Sequence, residues 1–275
     1  MLWIEYKITL KPFSPFNEIV VALLAEEDFE SFTENEESVF AYIKKENINK
    51  ENVNLVLSNI NCEFSLETKE IEEQNWNKIW EEQFEPIEVE NFCRIRAPFH
   101  EAKSGLIDIV IEPKMSFGTG HHSTTFMMLK AMNIFKDRIE DKYLLDMGCG
   151  TAILAIAAEK IGAKNILAID NDQWAYENSL ENIKKNNCHL IDVKLGDAND
   201  IKELHFDIIL ANINRNILSR DLLHYKEVLN NEGLIFLSGF FTTDVTQILE
   251  VTNQLGLNLI SQFSNESWAC LVIEN

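Results

Sequence analysis

The feature that most limits how this chain can fold is a strand–helix rhythm that starts near Tyr143 and runs almost to the end. Short apolar runs at 143–146, 165–170, 191–195, 206–211 and 234–238 have the length of buried strands. Helical spacing fills the intervals at 152–161, 175–186, 219–228 and 243–255, and a further helix is expected over 124–135, ahead of the first strand. Strands that alternate with helices are joined by crossovers, so the pattern predicts an α/β fold with a doubly wound parallel sheet. Two closing strands, 258–263 and 268–273, are near enough to form a hairpin. The sheet is therefore expected to be seven-stranded and mostly, not wholly, parallel.

The N-terminal part has a different pattern. Ile4, Tyr6, Ile8 and Leu10 alternate as one face of a strand over 3–10, which Pro12 and Pro15 end. Helical spacing over 17–26, strands at 29–34 and 39–44, a helix over 49–57 and a strand at 63–71 complete the order β-α-β-β-α-β. That order predicts a smaller α+β (ferredoxin-like) domain over 1–71. Residues 72–91 read as a linker. Trp76 and Trp80 stand four apart, on one helix face. Such a stripe packs on a neighbouring core or serves for docking, and packing is the commoner case. Short strands near 86–89, 92–97 and 106–111 lead into the larger domain, expected over 92–275.

Composition narrows the function classes. The formal charge is −21, whereas nucleic-acid binders carry a basic footprint, so no direct nucleic-acid contact is required. An acidic surface attracts basic partners, although the same charge serves solubility. Cys62, Cys93, Cys149, Cys188 and Cys270 are odd in number and lack zinc-like spacing, which reads as free thiols in a reducing compartment. The start of the chain has no basic segment followed by an apolar one, and the longest apolar run, 19–25, is far short of a bilayer span. A cytoplasmic monomer without membrane attachment is expected.

Four stations at the ends of the predicted strands carry the chemistry. The first is the turn Met147-Gly148-Cys149-Gly150-Thr151-Ala152, where glycines let the backbone approach a ligand at a helix start. Asp170 ends the next strand, about 20 residues on, where a carboxylate can take both hydroxyls of a ribose. Asp172, closer to the following helix, suits an N-cap. Third comes Gly196-Asp197-Ala198, in which Asp197 either meets the base of a nucleoside or caps a turn. The last is Ala211-Asn212-Ile213-Asn214, at the carboxyl end of the fourth strand, where open parallel sheets bind ligands.

Together these stations resemble the S-adenosylmethionine-dependent methyltransferase fold, and the closing hairpin fits it. A further segment, Pro113-Lys114-Met115-Ser116-Phe117-Gly118-Thr119-Gly120-His121-His122-Ser123-Thr124-Thr125, closely resembles the methyltransferases of ribosomal protein L11, the PrmA family. The resemblance covers nearly the whole chain. It implies that S-adenosyl-L-methionine is the cofactor and that Thr125, Gly148, Asp170 and Asn212 contact it. Phe117, Gly118, Thr119, Gly150 and Asp197 are the further cofactor-binding candidates, and Asn212 with Ile213 the catalytic ones. The partner it implies is a basic ribosomal protein, L11, methylated on amino groups and captured by the small domain.

Gly118 and Gly120 would let the 113–125 segment act as a lid, and Thr124 and Thr125 can cap the helix behind it. His121 and His122 point apart and have no third ligand, so no metal is expected. The family's usual third glycine is replaced by Ala152. Two rival readings stay open. One is a methyltransferase for amides or RNA bases, whose Pro-Pro-aromatic clamp is here Ile213-Asn214-Arg215. The other is a ribosome assembly factor that binds the cofactor without catalysis.

Overall fold

The computed structural model describes residues 2–25, 27–48, 53, 56–58, 60, 62–72, 85–112 and 120–275. The chain divides into two compact units, Met1–Trp80 and Glu81–Asn275.

In the first unit, β1 (Leu2–Lys11) is followed by α1 (Phe16–Ala25), β2 (Ser31–Glu34), β3 (Ser38–Lys44) and β4 (Glu63–Glu72). The sheet order is β2-β3-β1-β4, with every pair antiparallel. The alternation seen in the sequence is the cause. Ile4, Tyr6, Ile8 and Leu10 all face inward, against Val39, Ala41 and Ile43 of β3 and Val20 and Leu24 of α1. Val53 and residues 56–58 are helical, and Val53 and Leu57, four apart, are both buried; the rest of the helix expected over 49–57 lies outside the described residues. So do Trp76 and Trp80.

The second unit opens with a small sheet of β5 (Ile87–Val89), β6 (Cys93–Arg96) and β7 (Ile107–Val110). Ile87 to Val89 pairs antiparallel with β6. Residues 87–91, read from the sequence as linker, are thus tied into this unit. The short strand expected near 86–89 is present, and what differs is its pairing with β6 rather than a place in a linker.

The large sheet is built from β8 (Tyr143–Met147), β9 (Asn165–Asp170), β10 (Ile191–Leu195), β11 (Phe206–Asn212), β12 (Leu229–Phe241), β13 (Asn258–Asn265) and β14 (Trp268–Glu274). Its order is β10-β9-β8-β11-β12-β14-β13. Only β14 runs against its neighbours. The chain winds outward from β8 to β10 and then returns to β11, so strand order reverses between β8 and β11 and their carboxyl ends border a crevice.

Among the described residues of this unit, six α-helices follow: α2 (Ser123–Ile134), α3 (Lys136–Ile139), α4 (Ile153–Ile161), α5 (Gln173–Lys185), α6 (Arg215–Val228) and α7 (Val245–Gln254). Successive strand residues face opposite layers. Leu144, Ile208 and Phe236 join α2 and α4 in one core, while Leu145, Ile209 and Leu237 join α6 and α7 in the other. The caps fix the loops. Asp172 accepts from the Trp174 and Ala175 amides at the start of α5, and Gly162 ends α4 at φ +115°. α6 begins at Arg215, earlier than the expected 219, because the Asn214 side chain accepts from the Ile217 amide. That cap keeps the connection after Asn212 very short and holds it against the sheet.

Candidate active site

The turn after β8 is pinned from below. The Gly148 and Cys149 amides both donate to the Ile169 carbonyl, at 2.8 and 3.0 Å. Gly148 has φ +69°, and a Cβ there would sit 2.3 Å from Cγ2 of Ile213. Glycine is therefore required by conformation and by space alike. Ala152, at φ +60°, is the left-handed N-cap of α4. The alanine thus adopts the conformation a glycine would, at a cost of roughly 1–2 kcal/mol, and the loop keeps its shape.

Asp170 serves this loop before it serves any ligand. One carboxylate oxygen accepts from the Gly150 amide at 2.9 Å and the other from the Asp172 amide at 3.0 Å. Each oxygen keeps lone-pair capacity for a further donor, and the side chain is half-buried at the cleft. Asp197 takes the turn-capping part foreseen for it. Its Oδ1 accepts from the Asn199 amide at 2.8 Å, capping the short 3-10 turn Ala198–Ile201. It also lines the same cleft as Gly148, Asp170 and Ile213.

Asp146 carries a role that sequence reasoning missed. It is fully buried beneath the loop, and its Oδ2 accepts from the Ala155 amide in the first turn of α4 at 3.0 Å. Burial pushes its carboxyl up to about 7; that amide opposes the rise, and the nearby Asp170 charge adds to it. The available signal was an acid closing an otherwise apolar strand.

On the other side of the switch point, Asn212 Nδ2 donates to Thr125 Oγ1 at 3.4 Å. Asn212 Oδ1 is buried, and among the described residues it has no hydrogen-bond partner. Thr125 is wholly buried on α2. Neither threonine caps that helix, as the sequence had suggested. His122 does, with its ring accepting from the Thr124 amide at 3.3 Å and meeting the Thr124 hydroxyl at 2.8 Å. The His122 ring also packs edge-on against Trp268. Among the described residues no group of three His, Cys, Asp or Glu side chains is arranged to hold a metal.

The backbone at Ile213 cannot drift. Its amide donates to the Ser238 carbonyl at 3.1 Å. Gly239, at φ +94°, lies so close that a Cβ would come within 2.4 Å of the Ile213 carbonyl oxygen. Sequence reasoning passed over Gly239, which stands at a register shift between β12 and β14; a glycine inside a strand was the signal. Gly148, Asp170, Asp197 and Ile213 thus meet at one cleft, and Gly150 is tied to it by its bond to Asp170, while Asn212, next in sequence to Ile213, forms a hydrogen-bonded pair with Thr125. Phe117, Gly118 and Thr119 lie outside the described residues.

Comparison with known proteins identifies the family. The family model for ribosomal protein L11 methyltransferase (PrmA) matches residues 17–275. The chain belongs to that family. Named relatives include the ribosomal protein L11 methyltransferase of Phocaeicola vulgatus, 40% identical over 98% of both chains, and that of Chlorobaculum parvum, 34% identical over 95% of this chain and 93% of that one. Among solved structures, a ribosomal protein L11 methylase from Lactobacillus delbrueckii subsp. bulgaricus superposes with a TM-score of 0.62 at 25% identity, covering 69% of this chain and 98% of that one. Family membership and the sheet order agree on a methyltransferase fold. Among the described residues, no helix is long and apolar enough to cross a membrane.

Proposed function

We propose that this protein transfers methyl groups from S-adenosylmethionine to amino groups of ribosomal protein L11: lysine side chains and, with them, the N-terminal amine. The observation that carries the reading is the buried Oδ1 of Asn212, without a donor among the described residues, at the switch point of the sheet. A buried carbonyl without a donor costs roughly 1–3 kcal/mol. An amino group delivered there would satisfy it.

The residues present fit the cofactor. Gly148 borders the cleft, Asp170 keeps lone-pair capacity that two ribose hydroxyls would use, and Asp197 borders the same cleft, where a base would lie. Thr125, hydrogen-bonded to Asn212, is the candidate for the methionine end. When bound, S-adenosylmethionine supplies a methyl group carried on a positively charged sulfur. The chain's own residues handle the acceptor. A lysine amine is almost wholly protonated at pH 7. Ile213 offers an apolar wall, and desolvation against it favours the neutral amine. Asn212 Oδ1 accepts an amine hydrogen and fixes the direction of the lone pair. An amine that gains a methyl still has a lone pair once it sheds its proton, so several transfers to one nitrogen are expected. The first unit, which holds none of these stations, is assigned to substrate capture. The acidic surface favours encounter with a basic protein, and that advantage falls as salt rises.

The test is incubation with labelled S-adenosylmethionine and separated ribosomal proteins, followed by mass spectrometry. Label on amines of L11, up to three methyls per nitrogen, is the expected result. Label confined to glutamine amides or to RNA, or cofactor binding with no transfer at all, would overturn it.

A further inference from the structure

One charged group on the cleft has no part in the scheme so far. Arg220, on α6, lines the same cleft as Asp170, Gly196, Asp197 and Ala198. Its Nε and Nη2 donate to the two carboxylate oxygens of Asp221 at 2.6 and 2.9 Å. The Asp221 side chain is only 5% exposed, whereas that of Arg220 remains 66% exposed. Consecutive helix residues point about 100° apart. A two-pronged bond between such neighbours draws the guanidinium back over the helix surface. An ordinary surface arginine loses rotamer freedom when it binds a ligand. This one is already held in its plane by Asp221, and its side chain stays 66% exposed at the cleft.

Charge and shape around it are of a definite kind. Its hydrogen bonds to Asp221, and more weakly the Asp197 charge, keep the guanidinium firmly protonated. Ile169 and Ala198 are both buried and give the cleft apolar lining near Asp170 and Asp197. A planar cation beside an apolar surface suits a flat, neutral π system.

We propose that Arg220 is the nucleobase-binding residue of this site, stacking its guanidinium on the purine of the cofactor, with Asp221 as the group that positions it. The proposal rests on the reading that the cleft takes S-adenosylmethionine. A purine is uncharged, so the interaction comes from the plane of the guanidinium as well as its charge. Lysine at this position would keep the charge and lose the plane.

The experiment is calorimetry of the full chain with S-adenosylhomocysteine, and with adenosine as competitor. Arg220→Ala is expected to weaken both ligands about tenfold, the range for a cation on an aromatic face. Arg220→Lys is expected to lose nearly as much. The double variant Arg220→Ala with Asp221→Asn removes the unpaired buried carboxylate that the single variant leaves, and the same loss is expected in it. In turnover, the effect falls on KM for the cofactor more than on kcat, which a general loss of folding would not produce. Wild-type protein that fails to bind S-adenosylhomocysteine would overturn the cofactor reading itself. Wild-type binding with undiminished affinity in Arg220→Ala, or full affinity in Arg220→Lys, would overturn the stacking role alone.

Discussion

Replacing Gly148 by alanine tests the link between the cofactor loop and the acceptor motif. At φ +69° a side chain costs roughly 1–2 kcal/mol of backbone strain. The new methyl would also stand 2.3 Å from Ile213 Cγ2, where carbon atoms prefer about 3.5–4.0 Å. The Ile213 backbone cannot retreat, because Ser238 bonds its amide and Gly239 packs against its carbonyl. Relief must come from the Ile213 side chain leaving its rotamer, at roughly 0.5–1.5 kcal/mol. Gly148→Ala is therefore expected to cost about 2–3 kcal/mol in denaturant unfolding. Turnover should fall by about two orders of magnitude, the range for a displacement of roughly 1 Å next to the reacting groups. Removing the obstructing methyl isolates the contact: in Gly148→Ala with Ile213→Ala the two losses should fall short of additive by about 1 kcal/mol. Strict additivity, or wild-type stability and turnover in Gly148→Ala, would show that the contact does not couple the two segments.

Asp170→Ala should weaken binding of S-adenosylhomocysteine by at least tenfold, since each hydrogen bond to a charged group contributes roughly 1.5–3 kcal/mol; calorimetry with unchanged affinity would remove Asp170 from the ribose site. The buried Asp146 carboxyl, raised from 3.8 to about 7, binds a proton more tightly folded than unfolded. Stability is thus fully favoured below about pH 4 and lost progressively as pH rises to about 7, by up to about 4 kcal/mol. Asp146→Asn should flatten that slope in unfolding measured between pH 5 and 8, and an identical slope in the variant would exclude Asp146 as its source. A fragment beginning at Glu81, which retains β5, should bind cofactor but fail to methylate intact L11; full activity of that fragment on L11 would remove the first unit from substrate capture.

The elements of this fold were legible because their signals are local. A period of two in Ile4, Tyr6, Ile8 and Leu10 fixes which face of β1 is buried, whatever surrounds it. Alternation of strand and helix after Tyr143 dictates a parallel sheet, and Asp172 announces the start of α5 within three residues of itself. The stations at the strand ends followed for the same reason, since a doubly wound sheet exposes those ends together.

What only the tertiary structure decided was which groups meet. Thr125 and Asn212 are 87 positions apart and share a hydrogen bond. Asn186 of the loop after α5 satisfies both the amide and the carbonyl of Val110, at 2.8 and 2.6 Å, across 76 positions. Neither pairing has a periodic trace, because a side-chain amide looks the same in sequence whether it faces water or a strand edge. Gly239 is the sharpest case. Its residue type hints at special backbone, but its necessity comes from the Ile213 carbonyl that the folded chain brings against it. Local sequence sets the dihedral preferences and the buried faces of each element. The contacts that make a site arise only when those faces dock, since they depend on complementarity between segments that carry no record of one another.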